Sequence, residues 1–271
     1  MIARIATDRR KALPAVNASH PQRAFGVGSA KSGTHALAAM GRGRAAHEHD
    51  SRPLLRLVLA HESGRLEGAA FEQMLGQMLR RRQFDLDVSQ INGFAIKALV
   101  RCFPEARYIL TIRDSAGWLR SFVNHQLTIP AAQGSEWQAF RDLRFAAPPS
   151  PFTREDEVLE RFALYPVDAY LGYWLRHNRQ VLAAVPPKQL LVVATADLSS
   201  SAERIAEFLG WPALAPPPTE PVFAGRYADS PLDGIDGRWL ADKAEAYTAE
   251  LLAAAGARFD SGIIAALTRR R

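Results

Sequence analysis

Two hydrophobic periods alternate along the chain. Ala24-Phe25-Gly26-Val27-Gly28 is a short apolar run that predicts a buried strand, followed by a small-residue loop from Ser29 to Gly33 and a helix from Thr34 to Met40. Helical spacing returns at about 53–61 and 68–81. Phe84-Asp85-Leu86-Asp87-Val88 alternates apolar with acidic and predicts a strand. Residues 92–102 form an amphipathic helix that stops near Pro104, and Arg107–Ile112 is the clearest strand. Ser115 can cap a helix running to about Gln126. Residues 127–152 then read as a long connection with four prolines, a candidate mobile lid. Helices fill about 154–184, a strand spans 189–194, a helix 201–209, a proline-rich wrap 212–221, and the remainder is mostly helical. Strands alternating with helices predict an α/β fold in which a central parallel sheet is flanked by helices in three layers. The expected organisation is a flexible extension over residues 1–22, without the apolar stretch of a secretory signal, and one α/β domain over 23–271.

Composition narrows the classes. The chain has 271 residues, 48% hydrophobic and 23% charged, a globular balance. No apolar run is long enough for a membrane span, so no integral membrane segment and a cytoplasmic location are expected. A single cysteine, Cys102, excludes an internal disulfide framework. The net charge of +6 favours an anionic partner. Only 5 of the 34 basic residues are lysines, so Lys31, in the most unusual loop, stands out.

That loop is Gly26-Val27-Gly28-Ser29-Ala30-Lys31-Ser32-Gly33-Thr34. A strand-to-helix turn presents backbone N–H groups. Gly28 and Gly33 allow close backbone approach, Lys31 adds a full charge, and Ser32 and Thr34 add hydroxyls. The set suits a phosphate-like group whose leaving oxygen gains charge. It is neither a P-loop, where lysine follows glycine, nor a dinucleotide fingerprint, whose third glycine would fall at Lys31. Farther on, Arg113 ends the clearest strand, where ligands of open α/β sheets bind, and Ser121 follows two helical turns later. An arginine beside a hydroxyl makes a clamp for a second phosphate.

Together, the Lys31-Ser32-Gly33-Thr34 loop, the segment Phe103–Asp114 and Ser121 resemble the PAPS-dependent sulfotransferase family, in particular its bacterial carbohydrate-type branches. PAPS is 3′-phosphoadenosine 5′-phosphosulfate. The likeness continues through Tyr173-Trp174, Leu190–Val193 and Glu207–Gly210. It implies a P-loop-like fold, PAPS as sulfuryl donor, and Gly28, Ser29, Ala30, Lys31, Ser32, Gly33, Thr34 and His35 around the 5′-phosphosulfate. Arg113 and Ser121 would hold the 3′-phosphate, and Lys31 would serve the bridging oxygen. His35 stands where many members have a second threonine. The Arg-Lys-Gly element that closes over the 3′-phosphate is absent as such, with Arg226 as a stand-in.

Sulfuryl transfer to a hydroxyl needs in-line attack, a base and cations at the leaving phosphate. His47-Glu48-His49-Asp50 is the densest titratable cluster. Family members place a glutamate or histidine base in this region, which favours Glu48, with His47 and His49 behind it. Asp87 and Ser89, at a strand end, are expected to orient the acceptor, and His125 to favour a helix C-terminus. The expected activity is sulfuryl transfer from PAPS to a hydroxyl of a carbohydrate or polysaccharide. No metal and no nucleic acid is expected to take part. The rivals are a Mg-dependent nucleotide kinase-type phosphotransferase and a non-enzymatic polyanion binder.

Overall fold

The computed structural model describes residues 23–146, 150–218 and 230–269. Residues 1–22 and Arg226 lie outside the described residues. Five strands, β1 (Ala24–Gly26), β2 (Ala45–His47), β3 (Leu86–Val88), β4 (Arg107–Ile112) and β5 (Leu190–Ala194), make one sheet in the order β2-β3-β1-β4-β5. Every pairing is parallel. The helices are α1 (Thr34–Met40), α2 (Ser51–Glu62), α3 (Gly68–Arg80), α4 (Ile96–Cys102), α5 (Ser115–Thr128), α6 (Glu136–Phe145), α7 (Val167–Ala184), α8 (Ala202–Leu209), α9 (Gly237–Ala255) and α10 (Ser261–Thr268).

Strand side chains alternate between faces, so a sheet covered on both sides divides its core in two. Tyr108, Leu110 and Ile112 of β4 join a large apolar cluster with α2–α7, α9 and α10. Ile109 points the other way, into a smaller cluster with Leu37 and Met40 of α1 and Ile205 and Leu209 of α8. The architecture is the expected three-layer α/β fold. The strand order reverses at β1, and such a switch point opens a crevice beyond the carboxyl ends of the strands.

Two elements differ from the sequence expectation. β2 is a strand where a loop is expected, because Ala-Ala-His carries no β-branched or aromatic residue to announce one. It is held instead by its parallel register with β3, Ala45 opposite Leu86 and His47 opposite Val88. α6 lies inside the 127–152 connection, which therefore is not one long loop. Ser135 caps it, its side chain accepting from the Gln138 N–H at 3.2 Å, and Phe140 and Phe145 bury against the large cluster. The helices expected over 154–184 are a short 3-10 turn, Glu157–Phe162, and α7, which starts after Pro166, a residue that cannot donate inside a helix.

Candidate active site

The loop after β1 is shaped from behind. Lys31 has φ +68° and Gly33 φ +92°. The left-handed region costs a non-glycine residue on the order of 1–2 kcal/mol, a strain that proteins keep mainly at functional sites. Ser32 Oγ donates to the Ser29 carbonyl at 2.6 Å and lies 3.1 Å from Thr111 Oγ1 of β4. Thr195 Oγ1, just past β5, donates to the Ser32 carbonyl at 2.6 Å. Trp118 Nε1 of α5 donates to the Ala30 carbonyl at 2.8 Å. His177 Nε2 of α7 donates to the Val27 carbonyl at 2.8 Å. Three loop carbonyls are thus engaged by the scaffold and a fourth by the loop's own Ser32, which leaves few acceptors to repel an anion. A Cβ at Gly28 would fall 2.7 Å from the Thr111 carbonyl oxygen, so the loop packs on β4 only with glycine there. Ser29, Ser32 and Thr34 are buried, and Ala30, Lys31 and His35 are half-buried.

Trp118, His177, Thr111 and Thr195 are the supports that sequence reasoning missed. Trp118 and Trp174 are fully buried in the core, and each indole N–H also supports the site. Trp174 Nε1 donates to the Arg113 carbonyl at 3.1 Å. For His177 no local signal exists, since its partner lies 150 residues away.

Burial brings His177 to a pKa of about 4. The sign follows from linkage: the unfolded chain takes up a proton below about 6.5, while the native state refuses it until about 4. Stability is therefore present above pH 6.5 and falls as pH drops toward 4, by on the order of 3 kcal/mol for this one group. Urea unfolding across that window should show the loss, and His177→Gln should reduce it by this one group's share, the remainder coming from His47 and His125, which are lowered in the same way.

The other site residues stand at neighbouring strand ends. Arg113 follows β4, half-buried. Burial, and then the Arg113 guanidinium, push the Lys31 ammonium below the usual lysine range, so the two cations lie within reach of each other's field. Ser121 of α5 is half-buried between Trp118, which holds the loop at Ala30, and His125, whose ring feels the Lys31 charge. Residues three and four apart share a helix face, so Ser121 lies on the face turned toward the loop. A cleft of about 170 Å³ opens beside Arg113, bounded by Thr195, Ala196, Ala266 and Leu267.

β2 ends at His47, and Glu48 follows in the left-handed region, φ +52°. The Glu48 N–H donates to the Val88 carbonyl at 2.9 Å. Its carboxylate accepts from Ser89 Oγ at 2.8 Å and from the Gln90 N–H at 2.9 Å. Burial raises its pKa above the ordinary carboxylate value, against the pull of those hydrogen bonds. His47 Nε2 lies 3.3 Å from Thr34 Oγ1, and its ring meets His35 edge-on at 5.1 Å. Burial, and then His35, bring His47 down to about 4. His49 is exposed and pairs with Asp50 at 3.3 Å. Among the described residues no three His, Cys, Asp or Glu side chains group as metal ligands.

Two expectations change. Asp87, expected to face the acceptor, is only 3% exposed, its carboxylate ion-paired with buried Arg82. The β3 pleat turns Asp87 away from the face of Leu86 and Val88 and toward that arginine, so Ser89 faces Glu48 without it. His125 stands in the last turn of α5, as expected, but it is not a cation there at neutral pH. Burial first, then Lys31, Arg144 and Arg141, bring it to about 4.

A five-stranded parallel sheet covered by helices on both faces, with a glycine-lined loop after its central strand, defines a three-layer α/β protein. The Sulfotransferase domain family matches residues 25–221, and the chain belongs to that family. Among curated proteins, Ava biosynthesis cluster protein M from Aspergillus versicolor is 28% identical over 151 residues. The match covers 54% of this chain and 55% of that protein, so the chain spans about half the length of that relative. Two solved structures align at a TM-score of 0.39. The sulfotransferase domain from the curacin biosynthetic pathway is 14% identical and covers 86% of this chain and 98% of its own. The sulfotransferase domain from the Synechococcus PCC 7002 olefin synthase is 16% identical and covers 88% and 95%. No described helix is long and apolar enough to cross a membrane.

Proposed function

We propose that the protein transfers a sulfuryl group from PAPS to a hydroxyl, with the nucleotide bridging Lys31 and Arg113. The observation that carries this reading is geometric: β1 and β4 are parallel neighbours, and the Lys31 loop and Arg113 follow directly from their carboxyl ends. The residues fit such a donor: a strained lysine in a loop with its carbonyls engaged, a guanidinium and a hydroxyl beyond it, and a cleft beside that guanidinium. PAPS supplies the sulfuryl group and a phosphate leaving group. Lys31 neutralises the bridging oxygen as the S–O bond breaks. Ser32 and Thr34 line the loop, and Arg113 with Ser121 fixes the 3′-phosphate. Glu48 takes the acceptor proton as the new O–S bond forms, held in place by Ser89 and Gln90. His47 and His49 flank it.

A carbohydrate hydroxyl is the first acceptor class to assay. The similarity to a biosynthesis-cluster protein favours a second, hydroxylated intermediates of a biosynthetic cluster. Calorimetry with 3′,5′-adenosine bisphosphate, 5′-AMP and ATP tests the donor. The bisphosphate should bind most tightly, without Mg²⁺; equal binding of all three, or a preference for Mg-ATP, would contradict the reading. Arg113→Ala should weaken bisphosphate binding by about 10–10²-fold, the value of a charge-assisted hydrogen bond, and change the melting temperature little.

A further inference from the structure

Glu48 is one end of a chain of contacts that runs across three elements. It follows β2, and its carboxylate accepts from Ser89 Oγ at 2.8 Å and from the Gln90 N–H at 2.9 Å, both just past β3. The Gln90 side chain runs on to α6, where its Oε1 accepts from Arg144 Nη1 at 3.0 Å. Arg144 is buried, 6% exposed. Its Nε donates to the Phe140 carbonyl at 3.3 Å, and its guanidinium lies between 4.3 and 6.0 Å from the ring centroids of Phe140, Phe122, Phe145 and Tyr173. None of these partners is an anion. A guanidinium buried without a carboxylate is costly, and an apolar chain of similar length would fill the same aromatic seam. Packing therefore gives no reason for an arginine at 144. What the arginine adds is a fixed donor, on a helix tied to α7 by Arg176, whose Nη2 donates to the Arg144 carbonyl at 2.9 Å. A guanidinium has donors only, so it meets only the oxygen end of the Gln90 amide. That sets which way the amide faces and turns Nε2 away from α6. Burial raises the Glu48 pKa, and the Gln90 N–H, the Ser89 hydroxyl and the Gln90 amide in turn work against it.

We propose that Arg144 is a positioning residue for the general base: it fixes the Gln90 amide, which together with the Gln90 N–H and Ser89 holds the Glu48 carboxylate ionised and in place. This rests on the reading of Glu48 as the base of sulfuryl transfer. The other charged and titratable neighbours of Glu48 come from three directions. Asp87 on β3 is ion-paired with Arg82, burial keeps the Tyr173 hydroxyl of α7 neutral up to about 12, and His47 and His49 flank Glu48 in its own segment. All of them are present in every variant below.

Carbon-detected NMR titration of the Glu48 side-chain carboxyl, assigned by its absence in Glu48→Gln, tests the link in the free protein. In Arg144→Met the Glu48 midpoint should rise by about 0.5–1 pH unit, because a hydrogen bond to the charged form is lost. Gln90→Met keeps the backbone N–H and changes a half-buried turn, and it should raise the midpoint by the same amount. The double variant should rise no further than Gln90→Met alone, since a residue that acts through the amide has no effect once the amide is gone. The acid limb of kcat should move up in pH with each midpoint, and plateau kcat should fall by about tenfold with KM for PAPS within about twofold. An unmoved midpoint in either single variant, or rises that add in the double, would overturn the proposal, even if Arg144→Met melts lower, as it would for a merely structural arginine. If the midpoint moves while the activity limb stays, or no sulfuryl transfer is found, the reading of the reaction fails separately, and the link from Arg144 to Glu48 stands on the titration.

Discussion

Lys31→Ala is expected to lower sulfuryl transfer by about 10²–10³-fold at saturating PAPS and acceptor, the range for losing one preorganised charge at a developing oxyanion. The loss should appear in kcat, because a cation at the bridging oxygen matters most once that oxygen gains charge, and less while the donor is intact. Burial sharpens the effect. The same desolvation that lowers the Lys31 pKa removes the water that would otherwise screen its charge. Folding should be nearly unaffected, since alanine at φ +68° bears the same left-handed strain as lysine. Single-turnover kinetics with a melting curve on the same sample separates the two effects. A fall in kcat of less than about tenfold would remove Lys31 from the chemistry.

Glu48→Gln is expected to lower kcat by about 10²–10⁴-fold, the contribution of a positioned general base. The amide can keep the two hydrogen-bond acceptor sites only in part, since one oxygen is replaced by an NH₂ donor opposite the Ser89 hydroxyl or the Gln90 N–H. Its pH profile is the sharper test. The base acts ionised, so wild-type activity should rise with pH through the Glu48 pKa, which burial places above the ordinary carboxylate value, and then level off. His47, brought to about 4, would give a limb lower on the scale. A limb that disappears in Glu48→Gln assigns the proton to Glu48. Near-normal turnover in that variant, with the limb surviving near pH 4 and lost in His47→Gln, would move the role to the histidine.

What the sequence reveals of this molecule follows the range of the forces involved. The β1 loop and β4 are legible because their signals are local: two glycines and a lysine between an apolar run and a helix, and a run of six residues, mostly apolar or β-branched, that ends just before Arg113. Glu48 can be nominated from its cluster, but β2 cannot be read from Ala-Ala-His, so its setting changes from an exposed loop to a strand end facing Ser89 and Gln90. Asp87 is misread because alternation places a residue on a face without saying which arginine waits there. α6 hides behind the prolines that flank it, although Ser135 with Trp137, Phe140 and Phe145 carries a cap and an apolar stripe. The supports of the loop, Trp118, His177 and Thr195, come from distant parts of the chain, and no window of sequence contains them together with their partners.

The claim that one nucleotide spans the loop and the β4 end is tested most directly by a ratio: the affinity for 3′,5′-adenosine bisphosphate over that for 5′-AMP, which differ only in the 3′-phosphate. The ratio should fall to near one in Arg113→Ala and persist in Lys31→Ala, since each variant strips one end of the molecule. A ratio unchanged in Arg113→Ala, or lost in Lys31→Ala, would mean that the two cations do not hold opposite ends of the same ligand.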